Sequence, residues 1–573
     1  MARRPSPEDS QFKMKKHSIE QSITALINHF LKIKAPDLKL VEDLELKAPR
    51  QRKFGDLTSY IAFRLSKSLK QSPKEVASQI VDYLKNNLKE ESFRDSIEDI
   101  TVEGAGFINF LFTKKYFCDG LSQILEEKDS FGRQDIGKGK PVLIEFVSAN
   151  PTGPLSIAHA RQAAVGDTLA RLLNSLGFKA KKEYYLNDEG HQIDVLGNSL
   201  SLRLKELKGE TIEFPEDGYQ GEYIYDIARE VLEKNLEFGN WQQEHFSEYA
   251  VKYILKDIEK DLADFGVEFD SWTSQKEIRQ SGKIEKALED LRKKGFIYES
   301  EGATWFKSTA FSDDKDRVVI KSDGSYTYLA PDIAYHREKY KSGFQWLINL
   351  WGPDHHGYIN RLKAAVSALG HEKESLSIII VQLATVFKEG KPVVMSTRRG
   401  QLITLREVLD EVGKDAARFF FLMRKTDSHL DFDLDLAKQQ TPQNPVFYVQ
   451  YAHARINSII EKSKEELGLG PDIVKSAQEA DFNLLKQDEE QALLRTLMQF
   501  PLALKICSES IEPQCLTVYL QDLAADFHKF YDLHRVLGVD RNLGLARLGL
   551  CLGTKIVLSN GLRILGVSAP REM

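Results

Sequence analysis

Cysteine is scarce in this chain: four among 573 residues (Cys118, Cys507, Cys515 and Cys551), scattered and with no CxxC pair. That spacing argues against a zinc site and against a disulfide framework, and it suits a reducing cytoplasm. Long apolar runs are absent too, since none approaches the ~18 residues of a membrane span. The head MARRPSPEDSQFKMKK is polar and mixed in charge, without the apolar core of a secretory signal. A strong basic excess is also missing. The net charge is −6, and neither residues 1–120 nor residues 441–573 depart far from neutrality. A nucleic-acid partner therefore has to be met by local patches rather than by a basic domain. There is no internal repeat and no low-complexity tract. What is there is ordinary globular material, 42% hydrophobic and 29% charged, long enough for two to four domains.

The most informative stretch is Val142 to Gly177, VLIEFVSANPTGPLSIAHARQAAVGDTLARLLNSLG. VLIEFV is a short unbroken apolar run, as in a strand buried on both faces. A polar loop with Asn150, Pro151, Thr152, Gly153 and Pro154 follows. A helical pattern then starts at Ser156, with Val165, Leu169, Leu172, Leu173 and Leu176 on one face and Gly177 as the stop. In an open parallel sheet such a strand–loop–helix junction lies at the carboxyl edge, where ligands collect and the helix N-terminus offers N–H groups to an anion. Ser156 can cap that helix, and His159 stands in its first turn. Such a site suits a phosphate chain.

Before this stretch, residues 1–125 read as a small α+β domain. It has a helical pattern over 17–34, an amphipathic helix in FGDLTSYIAFRLSKSL, and two short strands in ITVEGAGFINFLF joined at Gly104 and Gly106. A basic cluster, Lys47, Arg50, Arg52 and Lys53, precedes that helix; it is either a solvated loop or a phosphate contact. Residues 126–440 read as an α/β domain. Its strand signals are interrupted at roughly 200–300 by a charged, helix-rich insertion, and resume with strands around Asp323-Gly324, in QWLINLW and in SIIIVQLATVF. Thr404 with Glu407 makes a capping box, with Gly413 as the stop. From 441 to 573 nearly every segment reads as helix, giving a helical bundle.

Four elements carry candidate chemistry. His159 in its first helical turn is the sharpest. MSTRRG (395–400) is the second: Arg398 and Arg399 on a Gly-ended loop can neutralise a triphosphate and its transition state. The third is acidic, Glu145 at the end of the opening strand and Asp332 just after Tyr328. Two carboxylates beside a phosphate site repel ATP unless a cation lies between them, and a guanidinium held bidentately reconciles the two. The fourth is GPDHHG (352–357), a strand-to-helix loop whose polar groups suit ribose, adenine or an α-amino group. Its adjacent histidines lack a third metal ligand.

Taken in order, SANPTGPLSIAHARQAAVGDTLARLL, YYLNDEGHQI, YLAPDIAYHREKY, WGPDHHGYINRLKAA, MSTRRGQLITLREVLDEVGKDAARFFFL, DFDLDLAKQQTPQNPVFYVQYAHARI and NGLRILGVSAPREM resemble the arginyl-tRNA synthetases of bacterial type, class I aminoacyl-tRNA synthetases. FGDL and GAGFINF extend the likeness more loosely to the N-terminal segment. The resemblance implies a split Rossmann-type α/β catalytic domain (126–440), an N-terminal α+β domain (1–125) that contacts the tRNA elbow, and a C-terminal α-helical bundle (441–573) that reads the anticodon. It implies that arginine and ATP give arginyl-adenylate and pyrophosphate, with tRNA bound, before transfer to the 3′-terminal ribose of tRNA(Arg). Mg²⁺ accompanies ATP, no structural metal is expected, and the enzyme is expected to be a cytoplasmic monomer. By motif position Ser148 and Asn150 hold the α-amino and carboxylate groups, while Glu145, Tyr328 and Asp332 form the guanidinium pocket with Gln192 nearby. Ser156, His159, Gly352, Asp354, His355, Met395, Ser396, Arg398 and Arg399 fall to ATP. Among these Ser156, His159, Ser396 and Arg398 are assigned to catalysis. Lys47, Arg50, Arg52, Lys53, Tyr451 and Arg455 fall to tRNA.

Two departures from the family pattern stand out. Ser156-Ile157-Ala158-His159 replaces His-x-Gly-His, so a hydroxyl stands for an imidazole and Ala158 adds a methyl where adenine lies on the backbone. MSTRR replaces Met-Ser-Lys-Arg, with Thr397 for the lysine. Some relatives move that lysine to the position occupied here by Gly153, so the ammonium is missing from both places. Arg398, Arg399 or Lys391 remain to supply the charge. These departures leave open an alternative from another class, a tRNA- and arginine-binding paralogue with weak or lost activation. A small-molecule nucleotidyltransferase leaves the terminal domains without a role.

Overall fold

The computed structural model describes residues 19–41, 44–49, 52–88, 94–393, 403–469 and 472–573. It forms two compact units, one of residues 1–127, 463–502 and 530–553, the other of residues 128–462, 503–529 and 554–573.

In the first unit, strands Ile97–Glu103 and Phe107–Phe112 make the hairpin expected around Gly104 and Gly106. Strand Leu57–Ser59 and then Leu46–Lys47 extend it into a four-stranded antiparallel sheet. FGDLTSYIAFRLSKSL is therefore not one helix. Its start is strand, where Thr58 donates inward to Asn109 Oδ1 at 2.6 Å, and only Ile61–Leu69 is helical. Helices Ile19–Lys34 and Pro73–Asn87 bury Ile23, Ile27, Phe30 and Val76, Ile80, Leu84. The latter starts from a capping box between Ser72 and Glu75.

The second unit holds a five-stranded, wholly parallel sheet in the order Leu376–Ile380, Trp346–Trp351, Pro141–Glu145, Lys179–Leu186, Ser271–Ser274. The chain leaves the central strand 141–145 toward 179–186 on one side and returns to 346–351 on the other. The loops after 141–145 and 346–351 thus diverge at a topological switch point, where α/β sheets hold their ligands. Helix Ile157–Ser175 lies close on strand 141–145 and its exit. A Cβ on Gly166 would meet the Phe146 ring at 2.2 Å, so only glycine allows that approach.

Three expectations are corrected here. The segment 200–300 is not wholly an insertion, because Ser271–Ser274 is the edge strand of the parallel sheet; it is too short to show a period. The apolar run SIIIVQLATVF is two strands in two sheets, 376–380 and Ala384–Lys388, the latter parallel to Leu430–Asp433. It breaks where Arg161 Nη1 reaches the carbonyl of Gln382 at 2.8 Å. Gly413 kinks rather than ends helix Leu405–Leu422 (φ 75°, ψ 167°), since the following turns bury Ala416, Ala417 and Phe419 through Leu422. The Thr404–Glu407 capping box forms as expected.

Among the described residues six α-helices, from Pro445–Glu466 to Arg541–Leu565, follow residue 441. Among the described residues only the last is long and apolar enough to cross a membrane, and 78% of its most apolar window is buried in the fold.

Candidate active site

The loop between strand 141–145 and helix 157–175 leaves the sheet through two consecutive left-handed residues, Val147 (φ 67°) and Ser148 (φ 42°). Such conformations persist only where the surroundings over-determine them, and here the loop is fastened along its length. Ser148 Oγ accepts from the Tyr185 N–H at 3.1 Å, and the Tyr184 hydroxyl donates to the Ala149 carbonyl at 2.9 Å. Asn150 Nδ2 donates to Gln192 Oε1 at 2.6 Å, which joins two residues singled out in the sequence.

At the helix start, His159 Nδ1 accepts from the backbone N–H of Ser156 at 3.2 Å and lies 3.2 Å from its Oγ. The cap thus runs from histidine back to serine. Burial lowers the His159 pKa to about 4, so the ring is neutral at pH 7. With Nδ1 accepting, the hydrogen resides on Nε2, leaving a donor for an anion. Residues 403–405 return to this point. Ile157 N–H donates to the Ile403 carbonyl and Leu405 N–H to the Leu155 carbonyl, with Ser156 and Thr404 bridged between them.

The acids cluster at the carboxyl end of strand 141–145, beside this junction. Glu145 is 7% exposed and accepts from Lys339 Nζ at 2.5 Å. The same ammonium is 3.5 Å from Glu183 Oε2 and lies over the Tyr335 ring at 4.0 Å. Glu183 also accepts from the Tyr335 hydroxyl at 2.7 Å and from Thr273 Oγ1 at 2.7 Å. Asp332, in the first turn of helix Leu329–Lys341, is differently placed. Among the described residues its carboxylate meets one donor, the Tyr358 hydroxyl at 2.7 Å. Burial lifts its pKa to about 6, the Tyr358 bond opposing and Glu145 adding to the rise. Among the described residues one ammonium, Lys339, makes the ion pairs of Glu145 and Glu183 and none pairs with Asp332, a carboxylate that a cationic ligand would neutralise.

Other expected residues make no side-chain hydrogen bond to these carboxylates among the described residues. Tyr328 is 80% exposed at the start of helix 329–341, one turn before Asp332, whose N–H donates to the Tyr328 carbonyl at 3.4 Å. Gly352, Asp354 and His355 form or flank the turn Pro353–Tyr358 after strand 346–351, with His355 Nε2 3.3 Å from Asp354 Oδ2 on an exposed surface. Met395, Ser396, Arg398 and Arg399, like Thr397 and Arg50, lie outside the described residues. In the first unit Lys47 stacks over Tyr60 at 5.0 Å and Lys53 over Phe54 at 4.9 Å, and Arg52 opens the turn Arg52–Phe54. Tyr451 and Arg455 pair on helix 445–466, Arg455 Nη2 donating to the Tyr451 hydroxyl at 3.1 Å.

Comparison with known proteins decides the family. The profile described as tRNA synthetases class I (R), catalytic domain matches residues 120–460. The arginyl tRNA synthetase N terminal domain matches 16–112, and the DALR anticodon binding domain matches 449–573. An arginine–tRNA ligase of Geobacter sp. (strain M21) is 47% identical, covering 93% of this chain and 95% of that one. One from Bacillus subtilis is 44% identical over the same shares. The chain belongs to the arginyl-tRNA synthetase family. The solved structure of Thermus thermophilus arginyl-tRNA synthetase, 22% identical, shares its fold with a TM-score of 0.75, covering 97% of this chain and all of the other.

Against the family pattern, the structure gives a reason why Gly153 does not carry the displaced lysine. The Tyr223 hydroxyl donates to the Thr152 carbonyl at 2.7 Å, and a Cβ at 153 would stand 3.2 Å from that ring's Cζ and oxygen. Sequence reasoning missed Lys339, Glu183, Tyr335 and Tyr358. Lys339 stands two helical turns beyond Asp332, a spacing that puts both on one face. Nothing in the sequence says that Glu145 and Glu183, on two other strands, lie beneath that face.

Proposed function

We infer that the chain is an arginine–tRNA ligase: it activates L-arginine with ATP, brought as its Mg²⁺ complex, to arginyl-adenylate and pyrophosphate. It then passes the arginyl group to the 3′-terminal ribose of tRNA(Arg). One observation carries the arginine side of this reading. A half-buried carboxylate, Asp332, has among the described residues a single hydrogen-bond donor, a neutral hydroxyl, while its neighbours Glu145 and Glu183 share Lys339. A forked cation fills that vacancy with two parallel hydrogen bonds, and a lysine ammonium cannot. We assign the α-amino and carboxylate groups to Ser148 and Asn150 on the loop above. The neutral His159 donates from Nε2 toward the phosphates, at a helix N-terminus that favours anions. Arginine fixed on one side of the loop and ATP on the other bring carboxylate and α-phosphorus together, which is most of what phosphoryl-type transfer asks of a protein.

We assign residues 1–125 and 441–573 to tRNA, the first through Lys47, Arg50, Arg52 and Lys53, the second through Tyr451 and Arg455, and we place the enzyme in the cytoplasm as a monomer. The N-terminal and anticodon-binding profiles support that division. The decisive experiment is ATP–pyrophosphate exchange with arginine, with and without tRNA, set beside lysine and canavanine as competitors. Exchange that requires both arginine and tRNA is expected; binding of both without exchange would make the chain a non-activating paralogue.

Two substitutions probe the altered signatures. Ser156→Ala slows adenylate formation on the order of tenfold, the loss of one hydrogen bond to a charged group, and leaves tRNA affinity unchanged in a filter-binding titration. Thr397→Lys raises the rate of activation by up to about 10²-fold if a transition-state cation is missing. Unchanged single-turnover rates would show that Arg398, Arg399 or Lys391 already supplies it.

A further inference from the structure

Asn349 lies near the end of strand 346–351, is 1% exposed, and is the register partner of Glu145 on the neighbouring strand. Register partners in a parallel sheet project from the same face, so Asn349 shares with Glu145 the face covered by helix 329–341. Its amide orientation follows from its surroundings. His336 Nδ1 lies 2.9 Å from the Asp332 carbonyl, which can only accept, so that nitrogen carries the hydrogen. Burial foremost, with Lys339 beside it, lowers the His336 pKa to about 3, so the ring is neutral and Nε2 must accept. Asn349 therefore presents its NH₂ to Nε2, at 3.0 Å, and is left with its oxygen. That oxygen is sealed from solvent and has no hydrogen-bond partner among the described residues. The nearby donors are spent elsewhere: Lys339 on Glu145, Tyr335 on Glu183 and Tyr358 on Asp332. A buried acceptor left bare is costly and rare, so each one calls for an explanation.

We propose that Asn349 is a specificity-determining residue whose side-chain oxygen is kept unpaired to accept an N–H of the arginine guanidinium, beside the carboxylate of Asp332. This rests on the arginine-ligase reading. A guanidinium brings five N–H groups in a fixed fork, enough to serve a carboxylate and a neutral acceptor at once, whereas an ammonium at the end of a lysine chain spends its donors around a single point. Discrimination is strong where a site presents polar groups that the wrong substrate leaves unpaired.

The test uses the full-length enzyme with tRNA in ATP–pyrophosphate exchange. Asn349→Leu removes both the oxygen and the NH₂ at similar volume; Asn349→Asp keeps an acceptor and loses the donor to His336. We expect Asn349→Leu to raise the arginine KM at least about tenfold, the loss of one buried hydrogen bond to a charged group, with the ATP and tRNA KM values and kcat at saturating arginine within about twofold. Asn349→Asp is expected to hold arginine no less tightly than the wild type. An arginine KM within twofold of wild type in Asn349→Leu overturns the assignment. So does equal impairment of the two variants, since that outcome means the NH₂ supporting His336 is what matters. Should Asn349→Leu not fold, Asn349→Asp decides alone, and a KM raised tenfold overturns the proposal. Lack of exchange in the wild type would instead count against the ligase reading.

Discussion

Asp332→Asn raises the KM for arginine about 10²-fold, the usual consequence of truncating one partner of a buried, hydrogen-bonded charge pair, and leaves the KM for ATP within about twofold. Glu145 and Glu183 are both engaged by Lys339, and Tyr335 and Thr273 add further donors to Glu183, so neither carboxylate is left to meet a substrate cation alone. Asp332 has the Tyr358 hydroxyl only, among the described residues, and asparagine can still accept from that hydroxyl. The substitution therefore removes a charge without opening a cavity, and the fold survives it. A pH profile adds an independent check. Because burial lifts the Asp332 pKa to about 6, protons compete with arginine below that value. In the wild type the arginine KM is expected to be flat above pH 7 and to climb as the pH falls through about 6, approaching tenfold per pH unit. The aspartate must lose its charge to lose its ligand, so the rise runs toward acid. In Asp332→Asn the limb disappears. If KM rises equally for arginine and ATP, or if the acid limb persists in the variant, Asp332 is not the guanidinium's partner.

The second large effect falls on stability. Asp167 on helix 157–175 and Arg418 on helix 405–422 are both fully buried and meet at 2.7 Å. Arg418 also donates to the carbonyl of Leu565 at 2.8 Å and to that of Phe265 at 3.3 Å, while Asp167 takes Arg171 at 2.7 Å and Lys182 at 2.9 Å. One guanidinium thereby ties the helix behind the nucleotide junction to the end of the chain. Burial pushes the Asp167 carboxyl up, and Arg418, Arg171 and Lys182 together overcome it and hold the pKa below the usual range. Removing the Asp167 charge leaves a fully buried guanidinium without its carboxylate, which costs about 3–5 kcal/mol, whereas removing Arg418 leaves Asp167 with Arg171 and Lys182. Arg418→Met and Asp167→Asn should each lower the unfolding midpoint of the catalytic unit by several degrees, with Asp167→Asn the worse because it strands the buried arginine. Gly566→Ala should destabilise through the same contact: its φ is +70°, and an added Cβ would meet the Arg418 guanidinium carbon at 2.5 Å. As a carboxyl with a lowered folded pKa, Asp167 contributes fully above the unfolded carboxyl value, ~3.9, and loses that contribution only as the pH falls through its lower folded value. Circular dichroism melts between pH 3 and 8 test this. Midpoints unchanged by either substitution would mean that the pair contributes no net stability.

Much of the molecule is fixed locally and is legible in the chain. The strand–loop–helix at 142–177, the Thr404–Glu407 cap and the hairpin at Gly104 and Gly106 each follow from residues within a few positions of one another, because hydrophobic period, caps and turns are short-range properties. The ordered motifs also identify the family without a fold. Tertiary structure alone decided the rest. It split one apolar run at Gln382 between two sheets, recruited SWTS as an edge strand, and carried the helix past Gly413. It also turned Tyr328 outward and set Lys339 against Glu145. These outcomes depend on pairings across tens to hundreds of residues, and a side chain's partner at that distance is set by how the sheet crosses over at its switch point, which no local pattern encodes.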